Sequence, residues 1–254
     1  GASVLCEKPL ATNLVDAREM VRICNDLGVT LGVMLPRRFY NNSRAVKEVI
    51  ERGELGDILE VSFNLECYKD AEYYSTWRGK KAMAGGGVLM SQSIHSIDQL
   101  VYLFGKPVEV RGNVRITRDY LEIEDEAKAE IRFASGIMAK ISATANSEKT
   151  WQGITTIVGK EGKIILDSAE TLVWEVPNTE KPLPEENEPI PSKLKPGYYG
   201  PGHMNLINDF ISSISEGMPP YVVGEDCLEA MKIIFGIYKS SGERGRWIEL
   251  SELE

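Results

Sequence analysis

The sequence predicts a short piece of parallel α/β structure joined to a larger α+β domain with one broad, mostly antiparallel sheet. Apolar runs at residues 4–6 and 29–35 flank an amphipathic helical pattern. A strand, a helix and a strand in that order form a parallel βαβ unit. Later strand patterns follow one another with no helix between them, which favours antiparallel pairing. The strand patterns of the larger domain are residues 58–67, 108–116, 127–133, 137–145, 153–159, 163–166 and 171–175.

The helices follow from apolar periodicity and from residues that cap or break them. Asn13 or Thr12 can cap a first helix, which Gly28 ends. Gly53 ends the second helix in the same way. Aromatic residues and lysine are frequent in the loop of residues 68–84. Proline is frequent in the loop of residues 177–201, which is long enough to suggest a functional role. The predicted helices are residues 13–27, 43–52, 85–104, 203–216 and 225–240, and the two loops are 68–84 and 177–201.

Bulk composition is that of an ordinary globular protein. The 254 residues are 43% apolar and 26% charged, with a formal net charge of −9, which allows a sizeable core. The negative charge argues against a nucleic-acid-binding face, and no apolar run approaches the roughly 18 residues of a membrane helix. No Cys-x-x-Cys pair occurs, so we expect reduced thiols, no metal site and a cytoplasmic location. The four scattered cysteines are Cys6, Cys24, Cys67 and Cys227.

The most informative stretch is residues 85–98, GGGVLMSQSIHSID, in which three glycines lead into a helical pattern. Glycine permits close backbone approaches, and a helix that starts after such a loop offers unpaired N–H groups. Ser91, His95 and Asp98 follow at i, i+4 and i+7, so they share one helix face. An imidazole there suits proton transfer, and a purely structural histidine is an equally good interpretation from the helix alone.

Three basic residues follow the predicted parallel strands. Lys8 comes after the first strand, and Arg37 and Arg38 come after the second. In an open α/β sheet, ligands bind beyond the carboxyl ends of the strands, and Pro9 biases Lys8 toward an extended conformation. These side chains could contact an anionic or sugar-like ligand. Solvated surface side chains are the alternative interpretation.

Trp77 and His203 are further candidates for ligand contact. Trp77 lies in the aromatic loop, where an indole could stack on a sugar ring. His203 opens a helix directly after Pro201 and Gly202. Ordinary packing of the indole and a capping role for the imidazole are the alternatives.

Taken together, six segments resemble the Gfo/Idh/MocA family of NAD(P)-dependent oxidoreductases. The resemblance covers essentially the whole chain and implies an N-terminal Rossmann domain followed by an α/β domain with an open sheet. Residues 1–36 would be the remnant of the Rossmann domain, and residues 37–254 would be the domain for substrate binding and oligomerisation. The segments, in the family's order, are VLCEKPLA, Arg37-Arg38-Phe39, Trp77-Arg78-Gly79, GGGVLMSQSIHSIDQLVYLFG, GHMNLINDFISSISEG and GEDCLEAMKIIFGIYKSS.

The resemblance also implies a reaction and a set of roles. Family members move a hydride between a carbinol carbon, on a sugar, cyclitol or sugar nucleotide, and NAD or NADP. By this match Lys8 and His95 are catalytic, with His95 as the acid/base, and a homodimer or homotetramer forms through the open sheet. The implied cofactor contacts are Glu7, Lys8, Pro9 and Arg37, and the implied substrate contacts are Arg38, Trp77, Ser91, Asp98 and His203.

Two features depart from the family's pattern. The Gly-x-Gly-x-x-Gly fingerprint that seats the cofactor's pyrophosphate is absent from the 254 residues. We therefore expect it upstream of Gly1, and we expect the chain as given to bind dinucleotide poorly. Ser91 stands where relatives often have Asp or Asn, and serine cannot act as a base at neutral pH. Asp98 could orient the His95 ring instead.

Two other functions stay open at this point. Some similar proteins use bound NAD for a transient oxidation and hydrolyse glycosides, and some relatives of this fold are regulators. A glycosidase would release free sugar without net NADH, whereas a non-catalytic oligomerisation or sensing domain would oxidise nothing. Neither the particular sugar nor the choice between NAD and NADP follows from these residues.

Overall fold

The computed structural model describes residues 1–184 and 202–253. Within them, a two-stranded parallel sheet accompanies an eight-stranded, mostly antiparallel sheet flanked by helices. This architecture confirms the predicted fold class. Most of the proline-rich loop predicted at 177–201 lies outside the described residues, and the domain boundary at residue 36 stays a prediction.

The parallel unit contains strands β1 (Val4–Cys6) and β2 (Leu31–Val33) with helix α1 (Leu14–Asp26) between them in the chain. The Asn13 side chain accepts a hydrogen bond from the backbone N–H of Asp16 and caps α1, as predicted. The carboxyl end of β1 leads directly into the Glu7-Lys8-Pro9 segment. Lys8 therefore lies just beyond the carboxyl end of a parallel strand.

The large sheet has the strand order β10-β4-β5-β6-β3-β7-β8-β9. Its pairs are antiparallel except for β3 and β6, which run parallel. Alternate residues of β3, such as Val61 and Phe63, are buried in the hydrophobic core, while Asn64 is exposed. One face therefore carries the core and the other is open. The strands are β3 (Ile58–Tyr68), β4 (Pro107–Arg115), β5 (Glu126–Phe133), β6 (Met138–Thr144), β7 (Asn146–Gly159), β8 (Lys163–Asp167), β9 (Glu170–Glu175) and β10 (Ile248–Glu249).

The helices cover the buried face of the sheet. Helix α5 packs against α2 and α7, and α7 lies across β4. Pro36–Phe39 forms a buried 3₁₀ turn that contacts both α5 and α6, so the segment carrying the two arginines is enclosed by helices. The longer helices are α2 (Asn41–Glu51), α5 (Ile94–Phe104), α6 (Gly202–Glu216) and α7 (Gly224–Gly242), and the one-turn helices are α3 (Ala71–Tyr74) and α4 (Lys81–Ala84).

Two strands differ from the sequence prediction. Strand β7 begins at Asn146 rather than at residue 153, because its polar first half pairs with the end of β3, where Trp151 lies opposite Cys67. These residues are mostly exposed and carry no apolar alternation. Strand β10 pairs with β4. It is only two residues long, so its sequence carries no alternation from which a strand could be predicted. No helix in the described parts of the chain is long and apolar enough to cross a membrane.

Candidate active site

The segment predicted as one helix over residues 85–104 is built in two parts. Leu89–Ser93 form a π-helical turn, and the regular α-helix begins at Ile94. Turns of this kind are rare and occur often at functional sites. Ser91 lies in the π turn, and His95 lies in the first turn of α5.

The three glycines are required by close packing. Gly85 has φ +73°, and a Cβ on Gly87 would lie 1.7 Å from the carbonyl oxygen of Glu124. Only glycine fits these two positions. The loop that leads into the π turn is therefore held tightly against the segment before β5.

Glu124 occupies the start of this helical segment. Its carboxylate accepts hydrogen bonds from the backbone N–H groups of Gly87 (2.7 Å) and Leu89 (3.1 Å), and from the hydroxyl of Tyr238 (2.8 Å). The expectation that these N–H groups are unpaired is therefore wrong. Burial raises the pKa of Glu124, and the three donors oppose that rise. A single buried side chain thus fixes the position of the turn that bears Ser91.

Lys8 reaches the same turn from the parallel unit. Its Nζ donates a hydrogen bond to the backbone carbonyl of Ser91 at 2.8 Å. The Ser91 hydroxyl donates to the carbonyl of Gly87 at 2.7 Å, so its proton is engaged within the turn. Burial lowers the pKa of Lys8. The structure brings the predicted lysine and the predicted catalytic helix together.

His95 is half-buried, and its Nδ1 is fully enclosed with no hydrogen-bond partner among the described residues. Burial is the main cause that holds the pKa of His95 well below the ordinary imidazole value. The positive charges of Lys8 and Arg37 and the nearby His203 act in the same direction. The imidazole is therefore neutral at neutral pH, which is the state of a proton acceptor.

Arg38 and Asp98 lie in a buried ion pair rather than in an open substrate site. The Arg38 guanidinium donates to both oxygens of Asp98 (2.6 and 3.1 Å) and to Asp226 on α7 (2.7 Å). The Asp98 side chain is completely buried. Its carboxylate is occupied by Arg38, which corrects the expectation that it orients His95. The Arg38 charge is therefore neutralised within the protein by two carboxylates, and the substrate contacts expected of Arg38 and Asp98 stay predictions.

Arg37 has a different environment. It is 6% exposed and donates to the Gln99 side-chain oxygen at 3.3 Å and to the Ser168 hydroxyl at 3.4 Å. Gln99 donates in turn to the Ser43 hydroxyl at 2.7 Å. No described carboxylate forms an ion pair with Arg37, in contrast with its neighbour Arg38.

Trp77 is half-exposed, and Arg78 and Tyr73 link it to the π turn. The guanidinium of Arg78 lies over the Trp77 ring (4.8 Å) and over the Tyr73 ring (5.1 Å). The Tyr73 hydroxyl accepts a hydrogen bond from Gln92, beside Ser91, at 3.1 Å. The aromatic loop is therefore attached to the π turn. The roles predicted for Trp77 and His203 stay predictions.

Several residues of the site were not predicted from the sequence. Glu124 follows a run of charged residues that is typical of a solvated loop, and Gln99 and Asp226 belong to helices without any distinguishing spacing. Glu7 is exposed, and the Lys8–Pro9 peptide bond is cis. The cofactor contacts predicted for Glu7 and Pro9 stay predictions. In the described residues no cluster of His, Cys, Asp and Glu could hold a metal ion.

Removing the Glu124 carboxylate tests its role in holding the turn. Glu124→Ala should lower the free energy of unfolding by roughly 1–3 kcal/mol for each of the three donors left unpaired. Urea unfolding measures the loss. Glu122→Ala is a matched control, because that carboxylate is 48% exposed and pairs with Lys80 at the surface, so its loss should cost less than about 1 kcal/mol. Equal losses in the two variants would show that Glu124 does not hold the turn.

Comparison with known proteins identifies a matching domain family and relatives of the whole chain. Residues 43–165 match the family model described as GFO/IDH/MocA C-terminal domain. The myo-inositol 2-dehydrogenase of Thermotoga maritima is 26% identical over 260 residues, which cover 98% of this chain and 73% of that protein.

Two crystal structures have the same fold. The WlbA dehydrogenase from Bordetella pertussis, in complex with NADH and UDP-GlcNAcA, has a TM-score of 0.81 and 27% identity over 97% of this chain and 71% of that one. The aldose-aldose oxidoreductase from Caulobacter crescentus, complexed with glycerol, has a TM-score of 0.79 and 25% identity over 97% of this chain and 72% of that one. This chain thus spans a little over two thirds of the length of these relatives.

The fold and the site define an α/β protein in which a lysine at the end of a parallel strand binds the turn that leads into a helix carrying a half-buried imidazole. The relatives share that fold. Residues 43–165 thus match a GFO/IDH/MocA C-terminal domain, and nearly the whole chain is similar to dehydrogenases such as those of Thermotoga maritima and Bordetella pertussis.

Proposed function

We propose that this protein transfers a hydride between a carbinol carbon of a sugar, cyclitol or sugar nucleotide and NAD(P), with His95 as the acid/base. The observation that carries the proposal is a half-buried, neutral imidazole within electrostatic reach of Lys8, whose Nζ binds the carbonyl of Ser91, four residues before His95. Relatives are oxidoreductases by name, including a myo-inositol dehydrogenase and a dehydrogenase bound to NADH and a sugar nucleotide.

The residues present fit the reacting end of such a cofactor. Bound NAD(P) supplies the site that accepts or returns the hydride. Lys8, with Glu7 and Pro9 beside it, lies at the carboxyl end of β1, where ligands of parallel sheets bind. The His95 ring as a whole is only half-buried, and its neutral form is the state that accepts a proton from a substrate hydroxyl. The pyrophosphate fingerprint is not among the 254 residues, so this chain accounts for the reacting end only.

Proton and charge movements during oxidation follow from the two basic groups. The neutral His95 ring accepts the proton of the substrate hydroxyl as the carbinol C–H bond breaks. The Lys8 ammonium stabilises the negative charge that develops on the oxygen. Because that ammonium also donates to the Ser91 carbonyl, its position is fixed before the substrate binds. In the reverse direction His95 returns the proton to the carbonyl oxygen.

Two further properties belong to the same proposal. A homodimer or homotetramer would form through the open face of the large sheet, which carries a shallow depression of about 650 Å³ lined by Lys128, Lys140 and Asn64 among others. A cytoplasmic location agrees with the four free cysteines.

The test is oxidation of a panel of cyclitols, free sugars and sugar nucleotides by a preparation of the protein that binds NAD(H). We expect NADH or NADPH to form from at least one member, measured by absorbance and matched to an oxidised product. Free sugar released from a glycoside without net NADH would indicate hydrolysis instead. A preparation that binds NAD(H) but oxidises no member of the panel would contradict the proposal.

A further inference from the structure

The position of the Lys8 ammonium depends on a single acceptor. Its Nζ donates to the backbone carbonyl of Ser91 at 2.8 Å, and that carbonyl is its one hydrogen-bond partner among the described residues. An ammonium has three N–H donors, so two of them remain for oxygens of a substrate or cofactor. Where the positive charge lies relative to His95 is therefore set by where the Ser91 carbonyl lies.

The turn that carries this carbonyl is tied to Gly87. The backbone N–H and the hydroxyl of Ser91 both donate to the carbonyl of Gly87, at 2.9 and 2.7 Å. The N–H of Gly87 donates in turn to the Glu124 carboxylate at 2.7 Å. Because both bonds from Ser91 end on the same carbonyl, a displacement of Gly87 is passed on to the Ser91 peptide and to its acceptor oxygen.

Tyr238 fixes the far end of this series. Its hydroxyl donates to the Glu124 carboxylate at 2.8 Å, and a Cβ on Gly86 would lie 2.1 Å from the hydroxyl oxygen. Burial, followed by the charge of Glu124, raises the pKa of Tyr238 well above its ordinary value. The hydroxyl therefore keeps its proton and donates it, while the phenol also packs directly against the glycine loop.

Helix α7 gives Tyr238 a fixed support. The next residues along the helix, Ser240 and Ser241, accept hydrogen bonds from the backbone N–H groups of Gly112 (3.0 Å) and Val114 (3.1 Å) on β4. The same helix packs against α5 and α1. Tyr238 thus fixes the glycine loop relative to the large sheet, whereas Lys8 enters the site from the parallel unit.

We propose that Tyr238 is a positioning residue for the reaction, whose hydroxyl sets the place of the Lys8 ammonium through Glu124, Gly87 and Ser91. Four hydrogen bonds of 2.7–2.8 Å form the connection. The inference rests on the proposed function for what Lys8 does, which is to stabilise the negative charge on the reacting oxygen. Tyr238 acts on that charge only through Lys8.

Tyr238→Phe keeps the ring and removes the hydroxyl. We expect kcat for carbinol oxidation to fall about tenfold or more, because a small displacement of a group that stabilises developing charge is costly. KM should change less than about threefold, since the lost interaction belongs to the transition state. The backbone hydrogen bond from Val88 to the Glu124 carbonyl, at 2.9 Å, is unaffected and keeps the loop attached.

A double-mutant cycle separates positioning from a general loss of structure. In a Lys8→Met background the ammonium is gone, so Tyr238→Phe should cost less than about twofold more in kcat. A hydroxyl that only stabilised the fold would cost the same factor in both backgrounds. Tyr221→Phe is the matched control, because its hydroxyl donates to that of Tyr102 at 3.0 Å and the residue is 49% exposed. Its kcat should equal that of the unmodified protein.

A second readout needs no turnover. In protein with ¹³C-labelled lysine, the NMR signal of the Lys8 Cε is assigned by its absence from Lys8→Met. Tyr238→Phe should shift this signal, and so should Glu124→Gln, which places an amide NH₂ against one of the backbone N–H groups that the carboxylate accepts from. Tyr221→Phe should leave the signal in place. Circular dichroism checks that each variant is folded.

Three results would overturn the inference. They are an unmoved Lys8 signal in Tyr238→Phe, a shift of the same size in Tyr221→Phe, and, in an active protein, an equal loss of kcat from Tyr238→Phe with and without Lys8. The proposed function fails separately. If the Lys8 signal shifts as expected and no carbinol is oxidised, the coupling of Tyr238 to Lys8 stands and the function falls. If carbinols are oxidised and the signal does not move, the reverse holds.

Discussion

Replacing His95 with asparagine is expected to lower kcat for carbinol oxidation by about 10²–10⁴-fold, the usual contribution of a positioned general base. Asparagine can hydrogen-bond to a substrate hydroxyl but cannot accept its proton. The lowered pKa of His95 describes a neutral ring, which is the state that accepts a proton. Steady-state kinetics at saturating cofactor measure the loss.

The same prediction extends to the pH profile. Burial and the charges of Lys8 and Arg37, with His203 nearby, lower the pKa of His95. The ring therefore stays neutral as the pH falls through the ordinary imidazole value of about 6.5. We expect kcat/KM for oxidation to stay level through that value and to decline only at lower pH. In Arg37→Gln, where one positive charge is gone, the decline should begin at a higher pH.

His203→Asn is the matched comparison for His95→Asn. It removes the other imidazole of the chain from the start of α6. Because we expect His203 to contact the substrate rather than to move its proton, the variant should raise KM more than it lowers kcat. A kcat unchanged in His95→Asn, in a protein that still turns over, would remove His95 from the mechanism.

Replacing Arg38 with methionine is expected to lower the free energy of unfolding by about 3–5 kcal/mol, the range for breaking a buried ion pair from one side. Asp98 is completely buried and its carboxylate is bound by Arg38. Burial already raises the pKa of Asp98 to about 6, so removal of the guanidinium leaves a carboxyl group that must stay charged without a partner or take up a proton in the core. Asp226, 25% exposed, can regain water. Urea unfolding followed by circular dichroism measures the change.

A second substitution identifies the cause of that loss. Arg38→Met combined with Asp98→Leu removes both buried charges, and its stability should recover most of the loss, since apolar replacements of buried pairs are often neutral. Arg52→Met, which disrupts an exposed pair with Glu48, should cost less than about 1 kcal/mol. If the double variant is as unstable as Arg38→Met alone, the buried Asp98 charge is not the source of the effect.

The sequence is informative where side-chain pattern and chain direction decide the structure. Asn13 caps α1 as predicted, and the alternation along β3 assigns its buried face. The family resemblance implied that Lys8 and His95 share one site, and the hydrogen bond from Lys8 to the Ser91 carbonyl brings the lysine to the turn that precedes the His95 helix. These features depend on residues close together in the chain or on the general geometry of parallel sheets.

The remaining features depend on contacts between distant residues. Glu124 lies 37 residues from Gly87 and binds its backbone N–H, and nothing local distinguishes it from a solvated carboxylate. Adjacent Arg37 and Arg38 look identical in the sequence, yet Asp226, 188 residues from Arg38, helps to neutralise only one of them. The start of β7 was missed because its pairing with β3, rather than its own composition, makes it a strand.

The central claim is that a hydride leaves a carbinol carbon at His95 and is carried away by NAD(P). The most direct measurement uses an alcohol substrate that the protein oxidises, labelled with deuterium at the carbinol carbon, followed by mass spectrometry of both products. The account predicts deuterium in the reduced cofactor and none at the new carbonyl carbon. Product formation with no deuterium in the cofactor would contradict it.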